Sequence, residues 1–419
     1  MKPNILYMVC HDLGAQLPIY GDTTIPSPHL DRLSAEGVTF LNHFAASTPC
    51  SPSRGCIMTG RYAHCNRLIG LVNRGWDMPD EEQTIVDHLN RAGFHTYHFG
   101  LQHERKGTER NRFQHEWTAS RRSDQVADQV IYFLRSEAAR AQPFYVNVGV
   151  SEVHLPFDRP EYIPDDPEAV YVPPYLPDTP DVRLELARFH GAVRFMDQAV
   201  GRILSALKET GLAENTVVIF TTDHGFAFPR AKSTLYDPGI RTTLILRCPE
   251  GMVRNGRYTE LISNIDLTPT LLEMVGVEVP DSIQGRSFYG LLTEGPYEKR
   301  REVFSEKNFH DCYDPIRCIR TDQYKYIRSF EQRTNLPLPA DIERSIASNT
   351  LRPDAHDLRP IEELYDLQVD PWEENNLISD PAYAAVWDDL RTRLQRWMEE
   401  TDDPILKGNP LPHPPEQAV

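Results

Sequence analysis

The sequence predicts an α/β fold: a large, mostly parallel sheet sandwiched by helices, followed by a smaller α+β subdomain. Three observations lead there. Over the first 300 residues short apolar runs alternate with helix-period segments, the pattern of repeated strand–helix–strand units. After about residue 300 that alternation gives way to hairpin signals. The chain has 419 residues, 40% hydrophobic and 25% charged, a globular composition able to bury a large core without disulfide or metal staples.

The expected strands are Ile5–Val9, His95–Phe99, Phe144–Val150, Val217–Thr221 and Thr243–Leu246, each a short apolar run. Between them lie expected helices at Pro28–Glu36, Ser53–Thr59, Glu82–Ala92, Asp124–Ala139 and Val182–Thr210. The last carries Leu186, Phe189, Val193, Met196, Val200, Ile203 and Leu207 at spacings of three and four, and Gly211 stops it. Residues 155–181, rich in Pro and Asp, read as a long loop beside the sheet. Later, Cys318–Thr321 and Tyr324–Arg328 flank Asp322-Gln323 as an antiparallel hairpin, Glu363–Leu367 is a further strand, and Ala384–Met398 a terminal helix. The expected division is an α/β domain over 1–300 and, over 301–419, a subdomain with a small antiparallel sheet and the terminal helix.

A formal net charge of −17 argues against a general nucleic-acid binder and against a polybasic membrane-surface protein. No run approaches the roughly 18 apolar residues of a membrane span. The start lacks a secretory signal, so the chain as written is expected in the cytoplasm, a trimmed leader aside. Thirty-four prolines point to long ordered loops. The seven cysteines, at 10, 50, 56, 65, 248, 312 and 318, are odd in number and form no CxxC pair, so neither a disulfide framework nor a zinc site is expected.

Ligands of open α/β sheets sit beyond the carboxyl ends of the strands. Four expected strands end in polar clusters: Cys10-His11-Asp12, Gly100-Leu-Gln-His103, Ser151-Glu-Val-His154 and Asp223-His224-Gly225. Any one alone could be a hydrogen-bonding histidine, a helix cap or a plain turn. Four at one sheet edge favour a site, because buried polar groups are costly without partners. Asp12 and Asp223 could supply oxygen ligands to a hard divalent cation, with His11 and His224 adding nitrogen ligands or bonding an anion.

One segment, Cys50-Ser-Pro-Ser-Arg54-Gly-Cys-Ile-Met-Thr-Gly60-Arg61, resembles the C-x-P-x-R signature of the type I sulfatases of the alkaline phosphatase superfamily. Further blocks resemble that family in the same order: Asn4–Gly14, Pro28–Leu33, His154-Leu-Pro-Phe157, Thr222-Asp-His-Gly225, Lys232–Arg241, Asn264–Leu272 and Glu363–Leu367. The likeness runs from residue 4 to about residue 400. Val172–Pro180, Arg194–Gln198, Phe226-Ala-Phe-Pro229 and Trp397–Pro404 look most like the heparan N-sulfatase (sulfamidase) branch.

The resemblance implies an alkaline-phosphatase-like fold, a sulfuric ester hydrolase acting on a sulfate ester or sulfamate, one divalent cation, and a maturation enzyme that oxidises Cys50 to formylglycine. Calcium is the expected ion, with manganese and magnesium as alternatives. In the family the hydrated aldehyde attacks sulfur, and its collapse expels sulfate, whereas a serine would remain sulfated. Carried over residue by residue, Asp12, Cys50, Asp223 and His224 are metal ligands. Arg54 stabilises the ionised diol, and Lys232 holds a sulfate oxygen and the bridging atom. His154 protonates the leaving atom and His103 assists the diol, an order that could be reversed. His11, Lys232, His154 and Arg241 contact substrate. Two departures stand out: His11 replaces an aspartate common in the family, and Leu101 replaces the lysine of a Gly-Lys-x-His block.

Because a protein at −17 repels polyanions at long range, a small sulfated sugar or aryl sulfate is the expected substrate, with Arg67, Arg74, Arg121, Arg122 and Arg241 as candidate rim cations. A homo-oligomer is compatible with the sequence. The two departures also leave open a phosphonate monoester or phosphodiester hydrolase of the same superfamily. An alternative of another class is a non-catalytic sulfated-glycan binder.

Overall fold

The structure, a computed structural model, describes residues 2–333, 336–350 and 358–408. Its strands in chain order are β1 (Asn4–Cys10), β2 (Val38–Phe40), β3 (His43–Phe44), β4 (His95–Gly100), β5 (His115–Trp117), β6 (Phe144–Gly149), β7 (Thr216–Thr222), β8 (Leu244–Arg247), β9 (Gly256–Tyr258), β10 (Ile262–Ser263), β11 (Glu302–Phe309), β12 (Tyr313–Thr321), β13 (Tyr324–Ser329) and β14 (Glu362–Asp366). The eight-stranded central sheet has the order β5-β4-β6-β1-β7-β8-β2-β9. It is parallel from β5 to β7, and β8 pairs antiparallel with both β7 and β2. A separate four-stranded antiparallel sheet has the order β11-β12-β13-β14.

β1 is buried at all seven positions because helices cover both faces of the sheet. Its alternation sorts the two cores. Leu6, Met8 and Cys10 face a cluster with Val126 and Val130 of the Ser123–Arg135 helix and Phe189 and Met196 of the Pro180–Glu209 helix. Ile5, Tyr7 and Val9 face Ile57 and Met58 of the Cys50–Thr59 helix and Leu271 of the Leu267–Met274 helix. All seven residues of the expected apolar stripe on the Pro180–Glu209 helix are buried. Thr179 caps its start by accepting from the Val182 N–H, and Gly211 comes after its end in the left-handed region.

All five expected strands and all five expected helices of the first 300 residues are present, the Asp124–Ala139 helix as two pieces, Ser123–Arg135 and Ala138–Ala141. The hairpin, the Glu363 strand and the terminal helix, Ala384–Glu400, are also there. The 155–181 segment is irregular up to the start of the long helix at Pro180 apart from the short turn Pro167–Ala169, and it is held down by buried Phe157, Tyr162, Tyr175 and Leu176. Among the described residues no helix is long and apolar enough to cross a membrane.

The four-stranded sheet packs against the first part of the chain. Ile319, Tyr326, Leu364, Leu394 and Trp397 share one hydrophobic cluster with Ala46, Cys56 and Tyr62. The Glu306 N–H donates to Ala46 O at 2.9 Å, and the Thr48 N–H to Glu306 O at 3.3 Å. β11 therefore props the chain that leads into Cys50.

The terminal helix is pinned to this sheet by a fully buried ion pair. Arg317 Nε and Nη2 lie 2.6 and 3.0 Å from the two Asp403 oxygens, both side chains being 0% exposed. Removing Asp403 leaves the buried Arg317 guanidinium with only the more distant Glu306 carboxylate, at 3.7 Å, as counter-charge. We expect Asp403→Ala to lower stability by about 3–5 kcal/mol, read as a shift of the urea midpoint with the slope unchanged. A midpoint shift worth under ~1 kcal/mol would contradict a buried pair.

Candidate active site

The parallel register of β1 and β7 sets Cys10 opposite Thr222, so the two chains leave the sheet side by side. His11-Asp12 continues the first of them and Asp223-His224 the second. On the other side of β1 lies β6, which leads to His154, and beyond it β4, which leads to His103. The four polar clusters expected at one edge thus come from four adjacent strands.

Asp12 takes a left-handed backbone conformation, φ 54°, and its N–H donates to Asp223 Oδ1 at 3.0 Å. Gly225 must be glycine: a Cβ there would stand 2.0 Å from the Pro238 carbonyl, and its N–H donates to Gly239 O at 2.8 Å. That close approach folds the chain after His224 back on itself, and Lys232 is returned to the site by its N–H on the Phe226 and Phe228 carbonyls.

Cys50 opens the Cys50–Thr59 helix, all ten residues of which are buried. Its Sγ lies 3.1 Å from His224 Nε2. One turn on, Arg54 Nε donates to Asp223 Oδ2 at 3.1 Å and Nη2 to Cys10 O at 3.2 Å, while the buried Nη1 has no hydrogen-bond partner. The Ser53 hydroxyl bonds the Asp223 carbonyl, tying helix and strand end together. Lys232 Nζ reaches Asp12 Oδ2 at 2.6 Å and His154 Nε2 at 3.3 Å. The His11 ring sits between the others, 4.8 Å from that of His154, 6.1 Å from that of His103 and 6.2 Å from that of His224, with Nδ1 2.8 Å from Asp12 Oδ1.

Ligand atoms of His11, Asp12, Cys50, Asp223 and His224 all lie within 4.8 Å of one another, and all five residues are buried. Two carboxylates, two imidazoles and a sulfur on so small a perimeter fit a divalent cation. A second triad, Asp12, His154 and Asp341, meets the same distance criterion. There the Lys232 ammonium, 2.6 Å from Asp12 and 2.5 Å from Asp341, already supplies the positive charge.

Burial opposes ionisation throughout, and the charges nearby overrule it for most groups. Burial raises the Cys50 thiol, but His11, His224 and Lys232 outweigh it and hold the thiol well below its usual range. Burial likewise raises Asp12, and Lys232 and His11 pull it far down. Desolvation would discharge His11, yet Asp223, Cys50 and Asp12 lift it to about 10. His103 differs: burial dominates and lowers it to about 4, and its Nδ1 has no hydrogen-bond partner. His154 is lowered by burial and by Lys232, and its Nδ1 faces the Leu155 carbonyl at 2.6 Å.

The structure thus gathers His11, Asp12, Cys50, Arg54, His103, His154, Asp223, His224 and Lys232. It places Arg241 differently: Nε donates to Leu41 O at 3.0 Å, and the guanidinium lies 5.9 Å from the Tyr20 ring, away from these groups. Three of the candidate rim cations are spoken for, Arg67 by Glu81, Arg74 by Asp311, and Arg122 by Asp124 and Glu161. Leu101, where the resembling family has lysine, is buried and leaves its place apolar. Sequence reasoning missed Asp341, which sits against Lys232 and His154, because it comes after no strand and belongs to no motif.

Comparison with known proteins agrees with this geometry. The sulfatase family profile matches residues 3–277, and a profile for the C-terminal region of N-sulphoglucosamine sulphohydrolase matches residues 223–342. An ulvan-active sulfatase of Formosa agariphila is 30% identical over 96% of this chain and 76% of its own. Human N-sulphoglucosamine sulphohydrolase is 29% identical over 96% of this chain and 91% of its own. A protein solved in complex with its substrate D-glucosamine-2-N,6-O-disulfate superposes with TM-score 0.75 at 20% identity, covering 98% of this chain and 99% of that one. The phosphonate monoester hydrolase of Agrobacterium radiobacter superposes with TM-score 0.76 at 20% identity, covering 96% of each, so the fold by itself does not choose between sulfate and phosphonate. The extent of the profile match and the full-length likeness to sulfatases do choose: the chain belongs to the sulfatase family and is a sulfuric ester hydrolase.

Proposed function

We propose that the chain hydrolyses a sulfate ester or sulfamate on a small sulfated sugar or aryl group, with Cys50 matured to formylglycine by a separate enzyme and calcium as the bound ion. The observation that carries this reading is the position of Cys50: its Sγ, 3.1 Å from His224, shares the five-donor cluster with both carboxylates. Asp12, Cys50, Asp223 and His224 would hold the cation, with His11 beside them. When bound, the cation neutralises negative charge on the sulfate and the nucleophile.

The remaining side chains fit the expected roles. Arg54 is anchored at two of its nitrogens and keeps Nη1 open, a donor suited to an oxyanion at position 50. His103, neutral and with Nδ1 unpartnered, can accept a proton. The Leu155 carbonyl fixes a proton on His154 Nδ1 and leaves Nε2, 3.3 Å from Lys232 Nζ, as the atom that would exchange a proton with the leaving atom. Lys232, 2.6 Å from Asp12, is charged and placed for a sulfate oxygen. The pairing of Arg67, Arg74 and Arg122 with carboxylates leaves little free positive charge to draw in a long polyanion and supports a small substrate.

Cys50→Ala is expected to cut kcat by roughly a thousandfold or more, and the peptide carrying residue 50 in active enzyme to be lighter than its cysteine form by roughly 18 Da. Full activity in that variant would remove the nucleophile. Chelation should abolish turnover, with calcium restoring it better than manganese or magnesium; activity indifferent to chelation would dispose of the ion. Assayed side by side, 4-nitrophenyl sulfate should be cleaved faster than 4-nitrophenyl phenylphosphonate. The opposite order would reassign the chain's preference to phosphonates, and no cleavage of either by matured protein would favour a binding role.

A further inference from the structure

Asp341 comes from the short helix Ala340–Glu343, remote in sequence from the strand ends that build the site. It is held firmly. The neighbouring Ile342 and Ala347 are 0% and 1% exposed and belong to the core that includes Leu186 and Phe189 of the long helix. Asp341 Oδ1 accepts from the Ile342 N–H at 3.0 Å. Oδ2 lies 2.5 Å from Lys232 Nζ and 3.3 Å from His154 Nε2.

Those two contacts are with the side chains to which the proposed function gives the sulfate oxygen and the leaving atom. Asp341 also lines a cavity of about 440 Å³, open to solvent, with His154, Phe157, Glu185, Arg188 and Arg344. That volume accommodates one monosaccharide or aryl group. A leaving group bonded to a sulfate that touches Lys232 and His154 extends past Asp341 into this space.

The charge there has a consequence. Lys232 can balance one negative charge from substrate, and Asp12 and Asp341 already share it. A second anion beside the scissile atom would meet the Asp341 carboxylate, because the two arginines of the cavity are engaged elsewhere, Arg188 with Glu185 at 3.7 Å and Arg344 Nε with the Ala340 carbonyl at 2.7 Å, whereas a hydroxyl or ammonium there would give that carboxylate a donor. We propose that Asp341 is a specificity-determining residue of the leaving-group subsite, selecting sulfated polyols or amino sugars that carry a hydrogen-bond donor next to the scissile atom and rejecting those with a carboxylate or second sulfate at that place. The proposal rests on the sulfatase reading above and goes beyond it by naming what flanks the bond.

The test uses matured full-length protein and two aryl sulfates, one with an ortho aminomethyl group and one with an ortho carboxylate. The readout is the ratio of kcat/KM for the cationic over the anionic substrate, in wild type, Asp341→Asn and Asp341→Ala. Each ratio is independent of the fraction of active enzyme, and comparison between proteins cancels the intrinsic reactivity of the two leaving groups. The expected result is a ratio lower by about tenfold or more in both variants. A ratio unchanged within about twofold in Asp341→Asn, or loss of all activity on both substrates in both variants, would overturn the proposal and leave the sulfatase reading intact. Failure of matured wild type to cleave either compound would instead strike the sulfatase reading.

Discussion

Two carboxylates with no exposed surface, Asp12 and Asp223, impose the condition that the rest of the site satisfies. A buried charge is tolerated only with compensation close at hand. Asp12 finds it in Lys232 at 2.6 Å, His11 at 2.8 Å and His224 at 3.2 Å. Asp223 finds it in Arg54 at 3.1 Å and His11 at 3.4 Å. The side chains needed for chemistry are therefore also the counter-ions that make the site stable to bury. Changing one perturbs the charge state of its neighbours, as the opposed forces on Cys50 and His11 illustrate.

Much of this was legible in the sequence, for a definite reason. A parallel sheet delivers every strand's carboxyl end to the same edge, so the residues after four apolar runs had to meet. The short strands that escaped notice, β2, β3, β5, β9 and β10, have two or three residues each, too few to show alternation. β11 escaped because its Glu306-Lys307-Asn308 stretch looks solvated, yet all three are buried, Glu306 against His64 and Lys307 against Asp314. Arg241 was a candidate as a rim cation closing the Lys232–Arg241 block, but sequence does not say which way a side chain turns at the end of a short helix, and here Nε goes to the Leu41 carbonyl. The apparent rim cations misled similarly, since Asp311 and Glu161, the partners of Arg74 and Arg122, lie far off in the chain.

The site is assembled from two sources. Four strand ends and the helix that opens at Cys50, all before residue 230, bring the proposed ligands, the proposed nucleophile position and the histidines, while Asp341 arrives from a segment beyond the antiparallel hairpin. On the proposed roles, that division would let the hydrolytic centre stay fixed while the ground around the leaving group varied. It agrees with the breadth of proteins that share this fold, from one that binds a disulfated glucosamine to a phosphonate monoester hydrolase.

The helix that begins at Cys50 shows no face to solvent, and the cysteine itself is 3% exposed. A second protein cannot close its own active site around a side chain so enclosed. On the proposed maturation, the catalyst that oxidises it would have to meet this stretch as loose peptide, before the helix docks on the sheet. The competence of each molecule would then be decided during biosynthesis, in a race between oxidation and folding. A chain that folded first would be a stable, inert twin that later exposure to the same catalyst could not rescue unless it unfolded.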